Sequence, residues 1–305
     1  MTITLFETFR AVFYTPFYAA LALGAYRDEG LEVRLATAES AAVTGGLLSA
    51  DADVSWGGPM RLLFAHDRDP ESDLIGFCEV VTRDPFFILG RERRPDFRPA
   101  DLAGLRLAAV GEVPTPWLCL QDDIRRDGAD PHAVLRLPDR PMADNVEALR
   151  NGEADAVQLP EPFADALTQS GEGHVWYAAA DRGRTSYTTL FTTRRTLIER
   201  REEMLAMTRA VYRAQRWLHA TDAALVAKAV ASFFPGLPHD VLTRCVDRYR
   251  TLGIWGRDPI LARAGFERLK AACLSGGLIG RDIAFDVCVD TELARATILA
   301  VPTSF

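Results

Sequence analysis

The sequence predicts an α/β fold made of two similar units, and three observations support this prediction. Strand and helix patterns alternate along the first half of the 305-residue chain, which is typical of a mostly parallel, helix-covered sheet. The same alternation restarts near residue 84. Residues 47–59 and 149–162 share one form, in which a helix end, a tight turn and Ala-Asp lead into an apolar strand. A chain of this length can bury a core in each of two units.

The first unit begins with an alternating apolar strand, and three further strand patterns follow it. Thr15 is predicted to cap the first helix, with Pro16 at the first helical position and Gly24 at the C-terminal end. The predicted strands are 3–9, 31–36, 51–56 and 73–80, and the predicted helices are 16–23, 40–48 and one that begins within 57–67.

The second unit repeats this order, and a helical region from about residue 202 to residue 274 follows it. Asp53 and Asp155 stand just inside the two echoing strands, where aspartate is unusual, so we expect each side chain to bind the amides of its own turn. The predicted strands are 85–91, the end of 101–111, 133–138, 154–160 and an extended stretch at 185–195, and the predicted helices lie within 112–128, 142–152 and 161–171.

Composition and charge argue against several classes of protein. The net charge is −7 and no basic cluster interrupts it, which argues against a nucleic-acid partner. The chain contains no apolar run of about 18 residues, so membrane insertion is not expected. The five cysteines have no CxxC spacing, and the five histidines form no HxxxH or HExxH pattern. We therefore expect buried, reduced thiols, no metal and no cofactor.

Several predicted helices begin directly after a strand ends. In open α/β sheets, ligands collect at the carboxyl ends of the strands, where the free amides of helix N-termini bind polar groups. Six segments of this kind are predicted, at 9–17, 37–46, 55–61, 111–117, 139–145 and 159–163. The sequence therefore predicts a ligand site where these segments meet.

Four segments carry a resemblance to a known family. They are PFYAALALGAYRDEGLEVRL (16–35), AESAAVTGGLLSADADVSWGGP (38–59), DLAGLRLAAVG (101–111) and MADNVEALRNGEADAVQLPEPFADAL (142–167). In this order they resemble the NMT1/THI5-like family, which includes the sulfonate, nitrate, taurine and pyrimidine-precursor binding proteins of ABC transporters. The resemblance covers most of the chain and is weak in the C-terminal helices.

The resemblance implies a type II periplasmic-binding-protein fold, with two α/β sandwich lobes, two crossover strands and a ligand cleft between the lobes. Lobe I is expected to comprise 1–83 and 190–305, lobe II 84–189, and the crossovers to lie near 80–86 and 183–189. The protein is then expected to be a monomer that captures a small organic ligand, with an ABC permease as partner. We expect it to be periplasmic if a signal peptide has been removed and cytoplasmic otherwise, because no secretory signal pattern stands at the N-terminus.

Twelve residues are expected to contact the ligand in this cleft. They are Arg10, Phe13, Tyr14, Thr15, Ser40, Trp56, Gly57, Gly58, Thr115, Trp117, Glu161 and Tyr187. Many family members carry a polar or indole side chain where Phe13 and Tyr14 stand, so the resemblance implies an apolar ligand face, such as a planar ring. Arg10 suits a ligand carboxylate, and Glu161, between two prolines, suits an amine or ring N–H.

Alternatives stay open for several of these residues. Phe13 is equally well placed in the core, with Tyr14 alone reaching the cleft, and Trp56 suits either place. Arg10 is one of many arginines, most of which are solvated on a protein surface. Ser40 suits the N-cap of a helix more than a ligand contact.

The resemblance also extends to enzymes of the same fold. One is a desulfinase with a nucleophilic cysteine, and another is a pyrimidine synthase that consumes its own active-site histidine and carries a cysteine-rich motif that is absent here. Cys119, near a predicted helix start, is the single suggestive nucleophile, and Asp122 and Asp123 beside it oppose a thiolate. We expect no catalytic residue, and a cytoplasmic enzyme acting on a small aromatic substrate is the alternative function.

Overall fold

The computed structural model describes residues 1–39 and 42–300. The strands in this part of the chain are β1 (Thr2–Glu7), β2 (Glu32–Thr37), β3 (Val54–Gly57), β4 (Leu74–Val81), β5 (Phe87–Gly90), β6 (Arg106–Ala108), β7 (Leu135–Arg136), β8 (Ala156–Leu159), β9 (His174–Ala178) and β10 (Thr188–Thr193). The helices are α1 (Thr15–Ala22), α2 (Ala25–Asp28), α3 (Ala42–Leu48), α4 (Met60–Arg68), α5 (Thr115–Arg126), α6 (Met142–Arg150), α7 (Phe163–Ser170), α8 (Arg194–Glu199), α9 (Arg201–Ala220), α10 (Ala223–Val230), α11 (His239–Thr251), α12 (Arg263–Ser275), α13 (Phe285–Cys288) and α14 (Glu292–Ala300). Short 3₁₀ turns occupy Val12–Tyr14, Pro99–Leu102, Pro131–Ala133, Ala179–Arg182 and Ala231–Phe233.

The strands form two five-stranded sheets with the same internal plan. The first sheet has the order β2-β1-β3-β10-β4 and the second has the order β7-β6-β8-β5-β9. In each sheet one strand, β10 or β5, runs antiparallel to both neighbours, and the other four share one direction. The prediction of mostly parallel sheets is therefore confirmed. We call the parts built around these sheets lobe I and lobe II.

The antiparallel strand of each sheet follows a crossing between the lobes. The chain leaves the first sheet after β4, enters the second at β5, and returns from β9 to β10. The two crossing segments lie side by side, because the Thr185 amide donates to the Thr82 carbonyl at 2.9 Å and the Tyr187 amide to the Val81 carbonyl at 3.0 Å. The crossovers predicted from the resemblance are present, and the lobe boundaries at 83/84 and 189/190 stay a prediction.

The two echoing segments have the same hydrogen-bond pattern in both lobes. The Asp53 carboxylate accepts from the Thr4 amide of β1 at 2.7 Å, and the Asp155 carboxylate accepts from the Arg106 amide of β6 at 2.9 Å. Each aspartate lies 49 residues beyond its partner. The prediction that these side chains bind amides of their own turns is wrong. Each one instead bonds the neighbouring strand, directly before the pairing between that strand and β3 or β8 begins.

Local structure before helix α1 also differs from the prediction. A 3₁₀ turn at Val12–Tyr14 precedes α1, so Thr15 is already helical and is not its N-cap. The Thr15 hydroxyl donates to the Val12 carbonyl at 2.6 Å and so ties the turn to the helix. Gly24 is left-handed, with φ of 73°, as predicted for the end of this helix. Strand β9 was not predicted.

The C-terminal helices contact lobe II as well as lobe I. Helix α11 pairs with α7, where Arg244 bonds Asp165 at 2.9 Å, and α12 pairs with α5, where Arg268 lies 3.3 Å from Asp123. The assignment of 190–305 to lobe I stays a prediction, and these helices bridge the two lobes. No helix within 1–39 or 42–300 is long and apolar enough to cross a membrane.

Candidate functional site

Two cavities lie between the lobes, where the strands of both sheets end. We call the larger one, of about 550 Å³, the outer cavity and the smaller one, of about 30 Å³, the inner cavity. Phe9, just after β1, lines both of them. The outer cavity is lined by 7, 9–12, 37, 142, 160–163 and 233–237, and the inner cavity by 8, 9, 14, 57, 58, 60, 61, 113–115 and 187. Each cavity therefore takes residues from both lobes.

The inner cavity is narrow because the two lobes touch beside it. The Thr115 hydroxyl of lobe II lies 3.4 Å from the Met60 sulfur of lobe I. Gly58 lies beside this contact, and a Cβ there would stand at ordinary van der Waals distance, 3.6 Å from that hydroxyl and 3.4 Å from the Tyr187 carbonyl oxygen. Helices α4 and α5 both begin at this contact, and no side chain caps either of them. Their first-turn amides carry partial positive charge into the space between the lobes.

The residues that line the inner cavity all lie in the described part of the chain, and among them Arg61 is the one with a charged side chain. Burial lowers the pKa of its guanidinium, and the electrostatic effect of Tyr14 raises it. An arginine stays protonated under such a shift, because its pKa begins near 12.5. A cation that has lost part of its water, beside two helix N-termini, attracts an anionic group strongly. Sequence reasoning overlooked Arg61, although it stands in a helix turn that follows a strand end.

The structure separates the predicted aromatic residues into core and cleft. Phe13 is fully buried, and its carbonyl accepts from the Trp255 indole nitrogen at 2.9 Å. Trp56 is also fully buried and stacks on Phe17, with ring centroids 4.6 Å apart and an interplanar angle of 8°. Neither ring lines the two cavities. Tyr14 does line the inner cavity, and its ring meets the Phe13 ring edge-on, with centroids 4.5 Å apart.

Arg10 lines the outer cavity, and its guanidinium is already hydrogen-bonded to other parts of the protein. One nitrogen bonds the buried Glu7 carboxylate, and another donates to the Phe233 carbonyl at 3.1 Å. The guanidinium also lies over the Tyr18 ring, 5.4 Å from its centroid. Arg10 was predicted to bind a ligand carboxylate through both nitrogens. In the structure the two nitrogens instead bond the Glu7 carboxylate and the carbonyl of residue 233, so Arg10 links β1 to the segment after α10.

Glu161 lines the outer cavity, and its carboxylate is already bonded to other groups of the protein. It bonds Arg248 at 2.7 Å and accepts from the Asp165 amide at 2.8 Å, and its side chain is fully buried. Burial raises the pKa of this carboxyl, and Arg248 opposes that effect. Its main-chain amide donates to the Tyr249 hydroxyl at 2.7 Å. These contacts join lobe II to α11 and leave little capacity for the ligand amine that the sequence suggested.

The remaining predicted residues divide among three places. Four of them line the inner cavity, which lies in the predicted cleft between the lobes: Gly57, Gly58, Thr115 and Tyr187. Thr15 is buried and lines neither cavity. Trp117 lines another groove, which shares Val113 and Pro114 with the inner cavity, and the Arg136 guanidinium is 5.5 Å from its ring centroid. Ser40 falls outside the described residues. Ligand contact by any of these residues stays a prediction.

The residues that line the outer cavity include a segment that sequence reasoning did not select. Residues 233–237, with the sequence FFPGL, lie between α10 and α11 and bring two phenylalanines to the cavity. Phe163, at the start of α7, faces the same space. An aromatic pair followed by Pro-Gly was the available signal, and it stands in the region where the family resemblance is weak.

The cysteines do not take part in either cavity. All five are buried, and none is among the lining residues. Burial raises the pKa of the Cys119 thiol well above its ordinary value, although Arg182 partly opposes the effect. A thiol in this state is a poor nucleophile, because the thiolate is the reactive form.

Comparison with known proteins gives a family and a set of structural relatives. The model of the NMT1-like family matches residues 8–232. The "Putative binding protein YtlA" of Bacillus subtilis (strain 168) is 25% identical over 292 residues, which are 95% of this chain and 87% of that protein. The structure of the periplasmic aliphatic sulphonate binding protein SsuA from Escherichia coli aligns with a TM-score of 0.74 at 16% identity, covering 92% of this chain and 94% of that one.

An enzyme is also among the structural relatives. The desulfurization enzyme DSZB aligns with a TM-score of 0.71 at 14% identity and covers 98% of this chain and 99% of its own. At such identities the likeness concerns the fold. The two-lobed periplasmic-binding-protein fold predicted from the sequence is confirmed.

Proposed function

The chain belongs to the NMT1-like family, and on that premise we propose that it is a solute-binding protein that captures a small organic anion between its lobes. The observation that carries this proposal is the inner cavity, which Arg61 lines and at which α4 of lobe I and α5 of lobe II both begin. An anion there contacts both lobes. The anion therefore stabilises the closed arrangement, because only that arrangement supplies all of its contacts.

The chemical class of the ligand follows from the same charges. Arginine and uncapped helix N-termini bind carboxylate, sulfonate and phosphate groups through charge-assisted hydrogen bonds. The E. coli relative is named for aliphatic sulphonates, which belong to this class. Carboxylates and sulfonates therefore form the first ligand panel.

Delivery of the bound solute to an ABC permease is part of the proposal, and so is a location outside the cytoplasmic membrane. Both rest on the family resemblance and on the periplasmic relative. The direct test reconstitutes the permease in proteoliposomes and measures its ATPase rate. We expect the liganded protein to raise that rate and the ligand-free protein to raise it less.

Calorimetry on the purified protein tests the binding function itself. We expect at least one anion of the panel to bind, and Arg61→Gln to weaken it by about 10- to 100-fold, the range for a lost charge-assisted hydrogen bond. Arg295→Gln is the matched control, because Arg295 is exposed and lines neither cavity. Equal affinity of the Arg61→Gln variant and the wild type would remove Arg61 from the site, and a panel without any binder would overturn the proposal.

A further inference from the structure

We propose that the outer cavity is an aromatic subsite, in which residues 233–237 select ligands with a planar apolar body. The inference rests on the proposed function, since it places the anionic end of the same ligand in the inner cavity. Phe9 lines both cavities, so the two are adjacent, and the proposal has one ligand extend past the Phe9 side chain from one cavity into the other.

The two cavities differ in size, so they accept different parts of a ligand: the inner cavity a small head group and the outer cavity a larger body. A water-sized group needs about 10–15 Å³ of such space, so the inner cavity, of 30 Å³, accepts only the oxygen atoms of a small anionic group. The outer cavity, of 550 Å³, is within the range of pockets that enclose whole organic ligands. The body of the ligand therefore has to lie in the outer cavity.

The walls of the outer cavity are suited to an aromatic ring. Phe9, Phe163, Phe233 and Phe234 all face it and are only partly buried by the protein. A ring that covers them removes apolar surface from water on both partners and gains aromatic contacts. The two buried carboxylates at this cavity, those of Glu7 and Glu161, are already bonded to arginines. The cavity therefore offers little to a cationic or heavily hydroxylated ligand.

The segment 233–237 is held firmly, which makes it a preformed wall. The Phe233 ring stacks on Tyr18 at 4.8 Å with an interplanar angle of 22°, and Phe234 meets the same ring edge-on at 5.5 Å. Arg10 donates to the Phe233 carbonyl at 3.1 Å, and the Leu237 amide donates to the Phe234 carbonyl at 3.0 Å. A rigid wall selects by shape more sharply than a mobile one, because little ordering entropy is lost on binding.

This wall lies outside the part of the chain that the family model describes. The match ends at residue 232, directly before Phe233. The residues that line the inner cavity all lie within the match, whereas the segment 233–237 follows it. Selection of the ligand body is assigned to this segment because it supplies two of the four phenylalanines at the outer cavity.

Calorimetry with two pairs of probes tests the subsite. Benzoate is compared with acetate, and benzenesulfonate with ethanesulfonate, so that ring and head group are varied separately. We expect each aromatic probe to bind about three- to tenfold more tightly than its aliphatic counterpart. In Phe234→Leu, which keeps an apolar side chain without a ring, this ratio should fall towards one. Phe64→Leu is the control, since Phe64 is also partly buried and lines neither cavity.

The outcomes separate this inference from the proposed function. Equal binding of aromatic and aliphatic anions by the wild type, both weakened by Arg61→Gln, overturns the aromatic subsite and leaves the anion-binding function in place. An unchanged aromatic preference in Phe234→Leu also overturns the role of the segment. Absence of binding by all four probes counts against the proposed function. Thermal melts of each variant confirm that it is folded.

Discussion

Arg248 of helix α11 bonds Glu161 of lobe II, with its nitrogen 2.7 Å from a carboxylate oxygen. The carboxylate is fully buried and the arginine side chain is 28% exposed, so the pair joins a buried negative charge to a partly solvated positive one. The cost of burying this carboxylate is offset by Arg248, by the Asp165 amide and by the Cys245 thiol. Removing one partner therefore leaves the other in an unfavourable state.

We expect Arg248→Gln to destabilise the protein more at pH 8 than at pH 5. Burial already raises the pKa of Glu161 above its ordinary value, and loss of the arginine raises it further. A carboxyl with a raised pKa binds a proton in the folded state more readily than in the unfolded state, so its contribution to stability is lost as pH rises. Urea denaturation at the two pH values measures the difference, which we expect to be about 1–3 kcal/mol. The double variant Glu161→Gln/Arg248→Gln should lack the extra pH dependence, and its persistence there would contradict this explanation.

Glu79 of β4 is a second buried carboxyl, and it lies just before the chain leaves lobe I for the first crossover. Its side chain is 1% exposed, and burial raises its pKa to about 7. The Ser186 hydroxyl, the Ala262 amide and Arg184 oppose this effect, and Asp258 adds to it. The groups that face Glu79 thus come from the returning crossover and from the segment that precedes α12.

We expect the wild-type protein to lose stability as pH rises from about 4.5 to about 7, because Glu79 is protonated in the folded state and ionised in the unfolded state over that window. Glu79→Gln should remove this slope and be more stable than the wild type at pH 8 by about 3 kcal/mol, the free energy that corresponds to a pKa raised from 4.5 to about 7. Guanidinium denaturation as a function of pH gives the comparison. Glu199→Gln, at a side chain that is 59% exposed, should leave the slope unchanged. If the unfolding free energy of Glu79→Gln fell with pH as steeply as that of the wild type, other groups would be responsible for the pH dependence.

Gly90 of β5 permits the indole of Trp176 in β9 to lie directly against the strand. A Cβ at this position would stand 1.8 Å from the indole ring, which no small adjustment can relieve. We expect Gly90→Ala to cost about 3 kcal/mol or more in thermal or urea denaturation, at the upper end for overpacking. Gly45→Ala, in α3, is the contrasting variant, since nothing lies within 4 Å of its Cβ. It should stabilise the protein by about 0.5–1 kcal/mol, as alanine does in helices.

The five cysteines are expected to be unreactive in the folded protein. Each is buried, and burial raises the pKa of the Cys273 and Cys288 thiols to about 12. A thiol-specific reagent such as DTNB should modify them only after denaturation. Cys119→Ser should leave anion binding unchanged. A fast-reacting thiol in the native protein, or loss of turnover of an aromatic sulfinate in Cys119→Ser, would reopen the enzyme alternative.

Much of the fold could be predicted because strand and helix patterns are local. The alternation of apolar residues located nine of the ten strands in the described part of the chain to within a few residues. Strand β9 escaped because it lies at the edge of its sheet and leaves Val175 39% exposed, so it lacks a clear apolar pattern. The echo around Asp53 and Asp155 indicated two similar lobes, although the partner of each carboxylate came from a neighbouring strand.

The sequence by itself determined the two-lobed α/β architecture, its family and the strand ends at which a ligand site can form, because these depend on periodic patterns and on the order of motifs along the chain. Only the tertiary structure decided which charges meet in the cleft. Arg10 and Arg61 both follow strand ends, and the structure places Arg10 at the outer cavity, bonded to Glu7 and to Phe233, which lies 223 residues away, and Arg61 at the inner cavity. Such partners are brought together by packing between distant segments, and no local pattern encodes them.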